Sequence, residues 1–371
     1  MDFTTEQSAN VYAIGLKLSG LGIKAKFKKV ETGPVVTGYF FELDHSVPIA
    51  KVIKRAEDFA LALSADKVIV QRIGGEIAIF IPNKERKIVD FKEILHWYLH
   101  DENVKKMFLP IPLGVDYHGT KSAFDLTEMP HILIAGSTGA GKSVFLASII
   151  TSLTYFCSSN YLNMYLVDTK KVDLPLFSEI PHVKQVADEL SEFHNMMGFI
   201  MLETRKRLSV LQGCGVRKIS EYHTMQGGTN GMPYIILIMD EFGDLMELDS
   251  AAKKAGQYED VPTVKQWIKS LVQIGRAAGV HLIAGTQRSS VRVVDGDIKA
   301  NLPCRIALRL PTQIDSRTIL GTGGAENLLG KGDMLIQRPE KDVVERYHGP
   351  YVSGNDIAQL IDQYEMLKDK I

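Results

Sequence analysis

The stretch Gly136-Ser137-Thr138-Gly139-Ala140-Gly141-Lys142-Ser143 decides how this chain is read. It follows the apolar run Ile132 to Ala135 and leads into the apolar helical stretch Val144 to Phe156, which is the context a phosphate-binding loop requires. Glycines 136, 139 and 141 let the backbone curl so that successive N–H groups and the helix N-terminus face a phosphate. Lys142 is suited to neutralise β- and γ-phosphates, and the Ser143 hydroxyl to hold Mg²⁺. The predicted nucleotide cradle is Gly136, Ser137, Thr138, Gly139, Ala140, Gly141, Lys142, Ser143 and Val144. A plain glycine-rich turn is the competing reading, and the strand before it and helix after it argue against that. The expected ligands are ATP and Mg²⁺.

Downstream of this loop, apolar strands alternate with helical stretches: Met164 to Val167, Tyr234 to Met239, His281 to Ala284 and Arg305 to Leu310. Such alternation predicts an α/β domain with a mainly parallel sheet and helices on both faces. Val186 to Leu211 reads as one long amphipathic helix, and Met225 to Met232 and Ser250 to Pro262 as polar loops. The run Ile235 to Met239 ends on Asp240-Glu241, a carboxylate pair at the exit of a buried strand. Asp240 suits a water on Mg²⁺, and Glu241 suits orientation of the water that attacks the γ-phosphate. Two solvated acids opening a helix at its positive end would be the blander reading. Gln287, ending the next strand, is placed to sense the γ-phosphate.

Upstream, Val35 to Leu43 and Val68 to Ile81, broken at Gly74-Gly75, predict short strands around a helical stretch from Ile49 to Leu63. These pieces predict a smaller α+β domain over residues 1–108. Leu109-Pro110-Ile111-Pro112 reads as an extended connector, because proline fixes its own φ and excludes the helical region for its predecessor. The second domain then covers 109–371. Leu18-Ser19-Gly20-Leu21-Gly22 is read as a helix C-terminus with glycine caps, and His131, His182 and His281 as structural rather than metal-ligating.

The 371 residues carry a net charge of only -1, so any nucleic-acid contact must come from local clusters of Lys and Arg. Hydrophobic residues make up 45%, enough for sizeable cores and unlike a disordered chain. Cys157, Cys214 and Cys304 are odd in number and lack paired spacing, which fits a reducing cytoplasm. The apolar stretch Val144 to Phe156 is interrupted by serines and threonines and falls short of the ~20 residues needed to cross a bilayer. No intrinsic membrane segment is expected.

Further blocks carry a resemblance. They are Met129-Pro130-His131, Ile180-Pro181-His182, Gly215-Val216-Arg217, Asp240-Glu241-Phe242, Arg276-Ala277-Ala278-Gly279, Thr286-Gln287-Arg288, Ile298-Lys299-Ala300-Asn301, Ile314 to Leu320 and Gly332-Asp333-Met334. With Gly33 to Val36, Leu63-Ser64 and Pro82-Asn83-Lys84 in the first part, the chain resembles the motor of the FtsK/SpoIIIE DNA translocases over nearly its whole length.

The resemblance implies a RecA-like P-loop ATPase that forms hexameric rings around double-stranded DNA, preceded by a smaller ring-forming domain. It implies that Lys142, Glu241 and Gln287 serve hydrolysis and that Arg276 completes a neighbouring subunit's site, with Arg317 the alternative finger. Arg288, Lys299 and Arg317 match positions that meet the DNA backbone, and Arg292 adds a charge where an acid is common. Ser289 stands where proline usually follows, Gln313 where lysine is common, and Asp168-Thr169-Lys170 in place of Asp-Pro-Lys. Because the chain stops at Ile371, neither the family's sequence-reading winged helix nor its membrane anchor is expected, and a recruiting protein is; a piece of a longer protein fits as well. Two other functions remain open: a coupling or packaging ATPase that depends on a protein partner, and a nucleotide-regulated assembly protein.

Overall fold

The computed structural model describes residues 3–44, 46–65, 67–229, 231–341 and 343–368. Its first part is an antiparallel sheet of β1 (Ala25–Thr32), β2 (Val36–Leu43), β3 (Ile69–Ile73) and β4 (Glu76–Pro82), in the order β1-β2-β4-β3. Side chains alternate across a strand, and β2 shows the consequence. Tyr39 and Phe41 join Ile14, Leu18, Val52 and Phe59 beneath the helices Thr5–Gly20, Ile49–Ile53 and Ala56–Ala62. Phe40 points the other way, with Phe80 and Tyr117. The expected single helix over 49–63 is thus two short ones, and the Lys-rich β1 was not anticipated.

The larger sheet has ten strands. They are β5 (Pro110–Asp116), β6 (Lys121–Asp125), β7 (His131–Ala135), β8 (Leu162–Val167), β9 (Val183–Ala187), β10 (Tyr234–Met239), β11 (Val280–Thr286), β12 (Cys304–Leu308), β13 (Asp333–Gln337) and β14 (Glu345–His348). The order is β6-β5-β14-β13-β12-β7-β11-β10-β8-β9, parallel from β12 to β9 and antiparallel across the rest. The parallel strands are continuous apolar runs because both faces are covered. Ile132, Ile134, Ile236 and Ile238 face the helix Lys142–Phe156, while Leu133, Ala135, Leu237 and Met239 face the helices Leu190–Gly213 and Val264–Ile274.

Three expectations change. Leu109 to Pro112 is not a free connector: Pro110 starts β5, paired with β6, while β14 meets β5 only at Val115 and Asp116. The prolines therefore occupy a half-strand with one neighbour, where a missing N–H costs nothing. The helix predicted from Val186 begins at Leu190, because Val183–Ala187 pairs with β8 as the sheet's edge. The helix Phe242–Lys254 also extends into the stretch read as a loop from Ser250.

The two sheets are joined by buried charge. Arg346 on β14 forms a bidentate pair with Asp333 at 2.9 and 2.8 Å, and its guanidinium lies over the Phe80 ring of β4, 5.6 Å from the centroid. Lys67 Nζ adds a bond to the Glu326 carbonyl at 2.6 Å. Among the described residues, no helix is long and apolar enough to cross a membrane.

Candidate nucleotide-hydrolysis site

The carboxyl ends of the parallel strands converge on one edge, where loop backbone and helix N-termini are exposed. After β7 the chain turns through Gly139 (φ +75°) and Gly141 (φ +105°) into the helix Lys142–Phe156. Gly141 is the N-cap, and no side chain caps this helix. Its first-turn N–H groups have no intrahelical partners, so the cradle fits an anionic group.

Neighbouring strands fix the loop's shape. Gly136 N donates to Thr286 O of β11 at 3.1 Å, and Ser137 N and Oγ donate to Arg309 O beyond β12 at 3.0 and 2.9 Å. Gly332 N donates to Ala140 O at 2.9 Å, and a Cβ on Gly141 would come within 2.6 Å of Gly332 N. A side chain at 141 would force the Gly332 backbone to shift.

Beneath the loop, Lys142 is buried and ion-paired with Asp240 Oδ1; its Nζ also donates to the Asp240 carbonyl at 2.6 Å. Asp240 and Glu241, which follow β10, are exposed by only 2% and 4%. Glu241 is held by three donors: Thr286 Oγ1 at 2.6 Å, the Gln287 N–H, and Gly243 N at 3.3 Å. Burial raises the Glu241 carboxyl above the usual glutamate range, against the opposing effect of Thr286, Gln287 and Lys142. Gln287 Oε1 in turn accepts from Thr138 Oγ1 of the loop at 2.9 Å.

The structure thus brings Thr138, Lys142, Asp240, Glu241 and Gln287 into one constellation. A hydroxyl at Ser143 and the Asp240 carboxylate are hard oxygen donors of the kind that would suit Mg²⁺. One group to which sequence reading gave no role, Asp168, organises the adjoining loop. Its buried carboxylate accepts backbone N–H bonds from Lys170, Val172, Asp173 and Leu174 at 2.9 to 3.1 Å.

The basic residues fall elsewhere. Arg276 is exposed on the turn before Val280, at the opposite end of β11 from Thr286. Seven residues of strand, at about 3.3 Å each, separate it from its own chain's phosphate loop. His131 and His281 share that end, and burial holds them neutral, down to about 3 and about 4. Arg288 leaves β11 on the loop side but is held by Glu247 and by Asp244, the latter at 3.0 Å. Arg292 and Arg317 are exposed and Lys299 half-buried, and none of the three is in an ion pair among the described residues.

A parallel sheet with a glycine loop after its central strand and a buried Asp-Glu step beside it defines a RecA-like P-loop NTPase. A model of the FtsK/SpoIIIE family matches residues 100–291, and one of the FtsK alpha domain matches residues 3–83. The chain belongs to the FtsK/SpoIIIE family. It is 36% identical over 369 residues to the DNA translocase SpoIIIE of Bacillus subtilis, covering 95% of this chain and 45% of that protein. It is 32% identical over 379 residues to the DNA translocase FtsK of Pseudomonas aeruginosa, again covering 95% and 45%. The chain therefore spans less than half the length of these curated relatives. Among solved structures, the pCW3 conjugation coupling protein TcpA, in its monomer form with ATPγS, shares the fold. Its TM-score is 0.65 at 21% identity, covering 96% of this chain and 99% of that one.

Proposed function

We propose that this chain is an ATP-dependent translocase of double-stranded DNA that works in the cytoplasm as a hexameric ring. The observation that carries the reading is the buried Asp240-Glu241 step, held against Lys142 on one side and Thr286 and Gln287 on the other. A buried carboxylate fixed by three donors is oriented for one task, and here it faces the edge that the phosphate loop occupies.

On this reading the loop N–H groups and Lys142 bind the ATP phosphates, Lys142 exchanging Asp240 for the β- and γ-phosphates. Ser143 and Asp240 hold Mg²⁺, which supplies charge neutralisation at the phosphate oxygens. Glu241 accepts the proton of the attacking water and Gln287 senses the γ-phosphate through its contact with Thr138. Arg276, remote from its own loop, serves the neighbouring subunit's site. Arg288, Arg292, Lys299 and Arg317 contact DNA phosphates, which grips the duplex without reading sequence. Residues 1–108 form the smaller ring-forming domain and 109–371 the motor, with the helix Phe91–His100 packed against the helix Lys142–Phe156 of the motor. A recruiting protein supplies location.

The test is ATP hydrolysis by the purified chain with and without linear duplex DNA at low salt, with triplex displacement as the movement assay and Lys142→Ala as control. DNA-stimulated hydrolysis and displacement by the wild type alone support the proposal. Hydrolysis that DNA does not stimulate, by a protein that binds no DNA, overturns it, and stimulation only by a protein partner favours a coupling ATPase.

A further inference from the structure

The loop after β11 contains a buried hydroxyl among exposed neighbours. Ser289 is 6% exposed, whereas Arg288 and Ser290 are exposed. Buried polar groups require partners, and Ser289 Oγ donates to Asp315 Oδ1 at 2.7 Å. Asp315 lies in the first turn of the helix Gln313–Leu320, where Oδ2 accepts from Thr312 Oγ1 at 2.7 Å and its N–H bonds Thr312 Oγ1 at 3.2 Å. One carboxylate therefore closes the helix cap and anchors a loop 26 residues away in sequence.

On the other side of Ser289 the connection runs to the hydrolysis site. Arg288 N donates to Thr286 Oγ1 at 3.0 Å, and that hydroxyl donates to Glu241 Oε1 at 2.6 Å. From Glu241 to the helix bearing Arg317, the path is a short run of peptide with a hydrogen bond at each end. Hydrogen-bonded networks of this kind carry energetic coupling between sites when they have two discrete arrangements. A proline at 289 has no side-chain donor and could not close this path.

We infer that Ser289 is a positioning residue that transmits the state of the nucleotide site to the helix Gln313–Leu320, so that Arg288 and Arg317 move as one unit. The inference rests on the proposed roles of Glu241 and the two arginines. Its test has one readout that needs no DNA.

Backbone hydrogen exchange of the segment 313–320 is measured with and without ATPγS, and hydrolysis with and without duplex DNA. In the wild type, ATPγS slows exchange over 313–320. In Ser289→Ala that slowing, and the stimulation by DNA, fall about fivefold, the effect of one average net hydrogen bond, while hydrolysis without DNA stays within about twofold. Ser289→Thr, which keeps the hydroxyl, restores both. Asp315→Ala removes both acceptor oxygens that Thr312 and Ser289 use, and cuts the same link independently. A full ATPγS response in Ser289→Ala overturns the inference, as does no response over 313–320 in the wild type. Equal loss of hydrolysis with and without DNA also overturns it, since the serine would then merely support the ATP site. Wild-type hydrolysis indifferent to DNA sinks the translocase reading, while the exchange data still judge the link.

Discussion

The Lys142 ammonium and the Asp240 carboxylate form an ion pair in which each side chain is 3% exposed. Each group is therefore the other's partner in this structure, and on the proposed reading phosphate would replace Asp240 as the counter-charge of Lys142. Removing one partner of such a pair leaves a buried uncompensated charge, which costs about 3–5 kcal/mol.

Asp240→Ala should accordingly lower the urea midpoint sharply, and Lys142→Met combined with Asp240→Asn should recover much of that loss. The double variant, which lacks the Lys142 ammonium, should fail to bind ATPγS in a fluorescence titration. A stability unchanged by Asp240→Ala would show that the pair is relaxed by water.

Glu241 predicts a pH dependence with a definite sign. Its folded-state carboxyl is raised above 4.5 by burial, so the protonated form is favoured in the native state. The stability tied to this proton is full below pH 4.5 and is lost as pH rises through the raised value. Glu241→Gln should thus be more stable than wild type near neutrality, with the gap closing toward acid. The same variant should abolish hydrolysis, and the acid limb of the wild-type rate should lie above the ordinary glutamate range. Urea melts across pH 4 to 8 check the first point, on the order of 1 kcal/mol per decade of shift.

At Gly141, φ is +105° and a Cβ would meet the backbone nitrogen of Gly332 at 2.6 Å. Gly141→Ala should cost about 1–3 kcal/mol in strain. It should also remove nucleotide binding, because the 330–332 segment can yield only by breaking its bond to Ala140. Gly139→Ala, with open space around it, should retain more of both. Thermal melts with and without ATPγS separate the two.

Arg276 lies at the wrong end of β11 to serve its own loop. Arg276→Ala alone should keep ATPγS binding and lose hydrolysis by roughly three decades or more, the scale of an arginine finger. Lys142→Ala alone should also be inactive. Mixing the two variants should restore part of the activity, since some interfaces then combine an intact loop with an intact arginine. No recovery on mixing would exclude a role in trans.

How much of this was legible beforehand follows from where the signal resides. The strands β7, β8, β10, β11 and β12 are apolar runs ending in polar groups, because a strand covered on both faces must be apolar along its length. The loop from Gly136 to Ser143 was equally plain, since its glycines and its lysine answer to local backbone geometry. β1 was missed because AKFKKVET is an edge strand whose Lys26 and Lys28 face solvent, and an edge needs such charges. The start of the helix at Leu190 was missed because Val183–Ala187 is a strand only through its pairing with β8.

What the chain determines locally is the parallel core, the phosphate loop and the carboxylates beside it, because those depend on residue type and short spacing. What only the folded molecule decided is which distant groups meet. Lys142 pairs with Asp240, Thr286 bridges Glu241 and the Arg288 backbone, Ser289 reaches Asp315, and Arg346 spans from Asp333 to Phe80. Each of these contacts depends on strand order and crossover, which bring together residues that no periodicity relates, and for that reason none could be read from the sequence.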